Sequence, residues 1–144
     1  MVMIPDDKVL IYNPFEIYIE VANRGNSPAK VDSGNLTFFI SHKDNPEFMQ
    51  KPIPDNGIQD VLRGEILNPG CECSYKTTCS PISAQSDLKT ALEWQHGLVT
   101  VYLLGYFLYQ DGGGNRYKTA FCRRLDRTKR QFTIVDHPDY EYAD

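Results

Sequence analysis

The stretch LVTVYLLGYFLYQDGGGNRYKTAFCRRL, residues 98–125, decides the fold class that this sequence predicts. Its first part, residues 98–110, is rich in valine, leucine and aromatic residues, of which the β-branched and aromatic ones favour strands. The DGGGN segment at residues 111–115 is typical of a tight turn, because glycine, aspartate and asparagine tolerate the backbone conformations that such turns need. A second extended run then continues to Leu125. Together these features predict an antiparallel β-hairpin.

Further strands are predicted on both sides of the hairpin. In residues 15–21, apolar side chains alternate with Glu16, Tyr18 and Glu20, as in a strand with one buried face. A turn at residues 23–26 leads into an extended segment with its own apolar face, which we expect to be a neighbour of the first strand. The remaining strands are expected at residues 61–67, 71–79 and 131–135. About seven such strands are typical of an all-β fold, an antiparallel β-sandwich of immunoglobulin-like kind.

One short helix is also expected beside the strands. Leu88, Ala91 and Leu92 have the spacing of one helical face. Ser86 suits the N-cap position, and Gly97 suits the position just past the last turn of the helix.

The composition is that of a single globular domain. The chain has 144 residues, 41% hydrophobic and 24% charged, which is enough for one core and unlike a disordered chain. The net charge of −4 argues against a nucleic-acid-binding protein, since such proteins are usually basic. No apolar run reaches the length of about 18 residues that a membrane-spanning helix requires. We expect a tail at residues 1–14, a sandwich domain at 15–135 with a long mobile loop at 42–60, and an exposed acidic tail at 136–144.

Two short motifs lie within the predicted strands and turns. The first has the form N-x-G-x-[ST]-P-A and occupies residues 23–29. The second, G-x-x-x-Y-x-D…G-x-R-x-T-x-F-C, is carried by Gly105, Tyr109, Asp111, Gly114, Arg116, Thr119, Phe121 and Cys122. Both resemble motifs of a group of uncharacterised bacterial proteins in which membrane-spanning helices precede one soluble β-rich domain. The resemblance covers most of residues 15–135, and it implies a cell-envelope location, with membrane attachment only through a segment absent from this chain.

The resemblance implies a setting but no chemistry, so the motif residues are interpreted from their own properties. Tyr109 and Phe121 are able to pack across the hairpin. Asp111 is placed to accept hydrogen bonds from backbone N–H groups at the turn, and the glycines permit left-handed backbone. We interpret the motif as structural, in preference to a catalytic role.

The four cysteines raise the question of a metal or redox site. Cys71, Cys73 and Cys79 lie close together in the sequence, and Cys122 is far away. Structural zinc sites generally use two C-x(2–4)-C pairs, whereas this sequence has one short pair with a single residue between the cysteines. We therefore expect no metal and no cofactor, and a zinc or redox module is kept as an alternative. A disulfide bond from Cys73 or Cys79 to Cys122 stays open.

Patterns typical of catalysis are missing from the sequence. It contains no G-x-S-x-G motif, and His42, His96 and His137 lie in three separate contexts. We therefore predict no enzymatic activity.

Residues 116–130 contain seven Lys or Arg and one acid. Such a basic segment suits anionic lipid or an acidic partner, but we interpret it as a solvated strand edge and turn.

The strand before the turn is apolar on both faces, so both faces need cover. We hypothesise that the face containing Tyr102, Leu104, Tyr106 and Leu108 is an interaction surface for another protein or for a second copy of the chain. Cover from within the chain is the alternative.

A carbohydrate-binding module with exposed Tyr18 and Tyr106 is a further possibility. The sequence favours a non-catalytic module that binds another protein.

Overall fold

The computed structural model describes residues 2–3, 9–12, 16–41, 58–78, 96–98, 100–126, 128–129, 131–135 and 141–143. Their strands are β1 (Val2–Met3), β2 (Val9–Tyr12), β3 (Glu16–Asn23), β4 (Ala29–Ser41), β5 (Ile66–Leu67), β6 (Glu72–Thr78), β7 (Thr100–Asp111), β8 (Arg116–Asp126), β9 (Gln131–Ile134) and β10 (Tyr142–Ala143). Seven of these strands have four residues or more, and β1, β5 and β10 have two each. Within this part of the chain there is no helix, and hence none long and apolar enough to cross a membrane.

All strand pairs are antiparallel, and they arrange the chain in two layers. In the first layer, β3 pairs with β6 along one edge and with β1 and β2 along the other. In the second layer, β7 lies between β4 and β8, β5 extends β4, and β9 and β10 lie along the far edge of β8. The pair Leu10–Gln131 joins β2 to β9 and so connects the layers. The fold is therefore all-β and sandwich-like, which confirms the predicted class at this level.

One hydrophobic core lies between the two layers. The first layer contributes Ile17, Ile19 and Val21, each with 0% exposure, as the alternation in this strand predicted. Burial of one such side chain contributes about 1.5–3 kcal/mol to stability. Facing them in the second layer are Val31, Leu36, Val101, Leu103, Phe107, Tyr109 and Phe121.

The predicted hairpin is present as β7 and β8. Its register pairs Tyr109 with Tyr117 and Gly105 with Phe121. The Tyr109 and Tyr117 rings stack with their centroids 5.5 Å apart, and Phe121 stacks on Phe107 at 6.1 Å. The expected contact between Tyr109 and Phe121 is therefore not formed, and each ring stacks on a different partner. In this register Tyr109 faces Tyr117, and Phe121 lies four residues further along β8.

Two glycines leave room for the aromatic rings of the core. A Cβ atom on Gly105 would lie 2.6 Å from Phe121 Cζ and would also collide with the carbonyl oxygen of Asn35. A Cβ atom on Gly34 would lie 2.6 Å from Phe107 Cε1. Atoms in a close-packed interior do not approach so closely. Both positions therefore need glycine for space rather than for an unusual backbone conformation.

The expectation that β3 and β4 are neighbours is wrong, since they lie in different layers. The chain crosses between the layers at the turn after β3, and the buried side chain of Asn23 holds this crossing. Its Nδ2 donates to the carbonyl oxygens of Ser27 and Leu67, both at 2.8 Å, and its Oδ1 accepts from the N–H of Gly25 at 2.9 Å. The first sequence motif therefore has a structural role, since it contains the crossing between the layers.

The strand expected at residues 61–67 is shorter than predicted. β5 covers only the last two of these residues, and residues 61–64 form a turn. Asp60 and Leu62 have φ angles of 56° and 57°, which an extended strand does not contain. Val61 is nevertheless buried in the core with 1% exposure. Burial of an apolar residue in a turn produced the pattern that was interpreted as a strand.

Two further predicted strands are present in the structure. The strands expected at residues 71–79 and 131–135 are present as β6 and β9. Most of the expected helix, as well as residues 42–57 of the expected loop, lies outside the described residues. Gly97 is described and has a φ of 72°, a left-handed backbone conformation that favours glycine.

Residues 141–143, which were expected to belong to an exposed C-terminal tail, contact the folded domain. β10 pairs with β8 at Thr119 and Ala120. The Glu141 carboxylate accepts a hydrogen bond from the Cys122 N–H at 2.8 Å and forms an ion pair with Arg123, whose side chain is 1% exposed. A buried guanidinium needs such a partner, so this segment is part of the folded domain.

Candidate functional site

The hypothesised interaction surface lies on the outer face of the second layer, which points away from the core. The structure divides this face into two halves. Tyr102 and Leu104 are only 1% exposed, so the chain itself covers them and the alternative interpretation holds there. Leu108 is 38% exposed and Tyr106 is half-buried. The available surface is therefore the half near the hairpin turn.

A β-bulge in β4 shapes this half of the outer face. The register between β4 and β7 shifts between Val31 and Ser33, which leaves Asp32 as the extra residue. Bulges bend a strand locally and re-aim its side chains. Here the Asp32 carboxylate accepts a hydrogen bond from Gln110 Nε2 at 2.8 Å. The bulge thus places a carboxylate beside the exposed part of β7.

A partly open hollow of about 370 Å³ lies at this bulge. Leu108 and Gln110 of β7 line it, together with Asp32 and Ser33 of β4 and Arg116 of β8. The volume lies within the roughly 300–1,000 Å³ range of ligand pockets, although this hollow is not enclosed. The hollow is large enough for an apolar side chain, and polar groups lie at its rim.

The charge around the hollow is mainly positive. Lys118 Nζ lies 4.8 Å from the centroid of the Tyr106 ring, a cation–π contact, and Lys30 and Arg116 are exposed. We call this surface the Leu108 patch, and its members are Lys30, Asp32, Tyr106, Leu108, Gln110, Arg116 and Lys118.

The basic segment at residues 116–130 does not form one continuous face. Arg116 and Lys118 belong to the Leu108 patch, whereas Arg123 is buried and paired with Glu141. Because side chains alternate along a strand, neighbouring cations in the sequence reach opposite faces of β8. The interpretation as a solvated edge is therefore wrong for Arg123.

The residues of the hairpin motif build the turn at one end of this surface. The Asp111 carboxylate accepts hydrogen bonds from the N–H groups of Gly113 and Asn115, both at 2.9 Å, from Asn115 Nδ2 at 3.0 Å and from the Tyr117 hydroxyl at 3.1 Å. The bonds from Asn115 are the main cause of the lowered pKa of Asp111, and the bond to Asp111 raises the pKa of Tyr117. Gly114 has a φ of +83°. The roles expected for Asp111 and Gly114 are confirmed, whereas Gly105, Gly112 and Gly113 do not adopt the left-handed conformation expected for the glycines.

The two motifs meet at this end of the fold. Ala29 of the first motif pairs with Asp111 of the second in the β4–β7 ladder. The crossing held by Asn23 and the turn held by Asp111 therefore stabilise the same end of the sandwich. These contacts account structurally for Asn23, Ala29 and Asp111 of the two motifs.

The structure separates the cysteines. Cys71 is exposed, Cys73 packs partly against the core from β6, and Cys122 is buried on the outer side of β8. Cys73 and Cys122 are both free thiols, so the disulfide bond considered between them is not formed, while Cys79 lies outside the described residues. No group of three His, Cys, Asp or Glu side chains that could hold a metal occurs among the residues described.

Burial also makes two of these thiols poor nucleophiles. Burial, followed by the charge of Glu141, raises the pKa of Cys122 to about 12. Burial, followed by the charge of Glu65, raises the pKa of Cys73 as well. Because the thiolate is the form that attacks, the raised pKa values disfavour Cys73 and Cys122 as nucleophiles.

The tyrosines considered for carbohydrate binding are also engaged. One face of the Tyr106 ring carries the Lys118 ammonium group, and the Tyr18 hydroxyl donates to Glu20 Oε2 at 3.1 Å. Tyr18 lies in the first layer and Tyr106 in the second, so the two rings do not form one stacking platform.

Comparison with known proteins adds no family. No protein-family model matches the sequence, and no curated protein matches it. The suggested kinship to membrane-anchored bacterial proteins therefore stays a prediction that rests on residues 23–29 and on the hairpin motif. The Leu108 patch has to be interpreted from its own residues.

Proposed function

We propose that this chain is a non-catalytic module, an immunoglobulin-like β-sandwich that binds another protein through the Leu108 patch. The observation that carries the proposal is the 38% exposed Leu108 beside a hollow with a charged rim. An apolar or aromatic centre surrounded by polar groups is the usual arrangement at protein interfaces. Tyr106 and Leu108 supply that centre.

The chemistry of the patch favours an acidic partner segment with at least one apolar side chain. Lys30, Arg116 and Lys118 supply three positive charges, against the single carboxylate of Asp32. The whole chain carries a net charge of −4, so the patch is more positive than the chain as a whole. Complementary charge would steer the partner to the patch, and the hollow would take its apolar side chain.

The resemblance stated above supports a bacterial cell-envelope setting for this function. In that setting, a membrane segment outside this chain would hold the module near its partner. The motif residues would serve the module by stabilising the end of the sandwich that carries the Leu108 patch. The proposal needs no cofactor.

The experiment is a titration of the folded chain with short labelled peptides rich in Asp and Glu that contain one Leu or Phe. Fluorescence anisotropy measures affinity, and NMR shift changes locate the site. We expect binding that weakens at high salt and shift changes centred on Leu108. The variant R116E/K118E should lose about tenfold or more in affinity, because like charges then face each other.

Leu108→Ser tests the apolar part of the site, and its loss of affinity should be larger, on the order of thirtyfold, since central apolar anchors dominate interfaces. Lys129→Glu is the matched control, because Lys129 is an exposed cation in the turn before β9. It should leave binding unchanged. Equal affinities for the control and the patch variants, or no shift changes at the patch with any acidic peptide, would refute the proposal.

A further inference from the structure

A second surface, separate from the Leu108 patch, lies along the edge of the first layer. β6 pairs with β3 over seven residue pairs, from Glu16–Thr78 to Ala22–Glu72, and this register contains no shift. No described strand pairs with the opposite edge of β6. An edge strand without proline or a bulge presents its N–H and C=O groups to another strand. This edge is therefore suited to strand pairing.

The charges on β6 are self-complementary. Glu72, Ser74 and Lys76 are exposed and alternate with core-facing residues, so all three share the outer face. When two copies of a strand pair antiparallel about a two-fold axis, the residue on the axis faces itself. With Ser74 on the axis, Glu72 of each copy faces Lys76 of the other.

Neighbouring registers lack this match. An axis at Cys73 would place Glu72 opposite Ser74, and an axis at Tyr75 would place Lys76 opposite Ser74. Opposite charges that face each other directly across two strands are favourable. The pattern of charges thus selects one register among the three.

We propose that two copies of this chain associate edge to edge through β6, antiparallel, with Ser74 on the two-fold axis. On the core-facing side, the same register places Cys73 of each copy opposite Tyr75 of the other. Both side chains are partly buried against their own core, so apolar contacts would continue from one copy to the next. The first layers of the two copies then form one continuous sheet.

The monomer does not depend strongly on the charge of Glu72. Glu72 forms an ion pair with Arg24 at 3.1 Å, and the two side chains are 44% and 46% exposed. Exposed ion pairs of this kind contribute little to stability. Variants of Glu72 should therefore fold. Lys76 also has an interaction within its own chain, so circular dichroism tests the folding of every variant of either residue.

Sedimentation equilibrium at low salt, over a range of protein concentrations, tests the association. We expect the wild type to dimerise, and either Glu72→Lys or Lys76→Glu to weaken the dimer by about tenfold, because like charges then face each other twice. The double variant E72K/K76E should restore the dimer. Lys129→Glu, which makes the same charge change outside β6, should have no effect.

A cysteine substitution tests the register directly. Ser74→Cys should form a disulfide-linked dimer on mild oxidation, because directly opposed Cβ atoms lie about 4.5–5.5 Å apart and need to approach by only about 1 Å to reach the disulfide range. Ser27→Cys, at another exposed serine, is the control and should not exceed the wild type. A wild type that stays monomeric, a double variant that does not recover, or equal cross-linking of the two serine variants would overturn the proposal. None of these results depends on the Leu108 patch.

Discussion

Replacing Gly105 with alanine tests whether the first glycine of the hairpin motif is needed for packing. The added Cβ atom would lie 2.6 Å from Phe121 Cζ and would overlap the carbonyl oxygen of Asn35. The phenyl ring has some freedom to move, but the carbonyl oxygen belongs to the backbone of β4. The β4 and β7 strands would therefore have to separate locally.

The size of the effect follows from two opposing contributions. Overpacking of a core costs about 1–3 kcal/mol, and the collision with backbone places this case at the upper end. The change from glycine to alanine also restricts the unfolded chain, which stabilises the fold by about 0.4–1 kcal/mol. We therefore expect a net loss of about 2 kcal/mol in the free energy of unfolding. In a domain of this size, that loss lowers the melting temperature by roughly 4–8 °C.

Urea unfolding followed by circular dichroism measures this loss. Gly112→Ala is the matched control, because its Cβ atom would lie 3.8 Å from Pro28 Cδ, an ordinary van der Waals contact. The control should be as stable as the wild type or slightly more stable. If the two alanine variants unfold at the same urea concentration, the space around Gly105 is not what the motif glycine provides.

Two further predictions concern ionisable groups. The pKa of Asp111 is lowered in the fold, chiefly by its hydrogen bonds from Asn115. The ionised carboxylate therefore stabilises the fold fully above the unfolded pKa of about 4, and this stabilisation is lost as the pH falls through the folded pKa. Asp111→Asn should therefore unfold at lower urea than the wild type at neutral pH, and this difference should shrink under acid conditions; a constant difference would contradict it. Brief iodoacetamide labelling, followed by peptide mapping, should modify the exposed Cys71 and spare the buried Cys122 until urea unfolds the chain. Modification of Cys122 in the folded chain would argue against its burial.

The hairpin could be predicted because all of its signals are local. Residues 111–115 specify the turn, and the apolar runs on either side have the composition of strands. The alternation of Ile17, Ile19 and Val21 likewise identified a buried face of β3 correctly. Each of these features depends on residues that are close in the sequence.

The layer assignment could not be predicted in the same way. Alternation shows that a strand has a buried face, but not which strand lies beside it. β3 and β4 are consecutive in the chain and yet lie in different layers, and the Asn23 side chain at the crossing bonds to Leu67, 44 residues away. Such a contact leaves no periodic signal.

The burial of Arg123 did leave a signal that was overlooked. Phe121 and Leu125 are core-facing residues of β8, and Arg123 lies between them with the same parity. Counting charges suggested a solvated segment, whereas alternation along the strand places this arginine on the core side. Its partner Glu141 follows from tertiary structure alone, since the two residues are 18 positions apart.

The candidate surface could be predicted only in part. Period-two spacing assigned Tyr102, Leu104, Tyr106 and Leu108 correctly to one face, but it cannot divide that face into covered and exposed halves. At the turn end of the hairpin, the same spacing separates the residues that hold the fold from the residues of the proposed binding surface. Odd-numbered residues such as Gly105 and Asp111 hold the core and the turn, while even-numbered residues such as Leu108 form the patch. Substitutions at the even positions should therefore alter binding with little effect on folding, and this independence makes the peptide experiment a test of function rather than of stability.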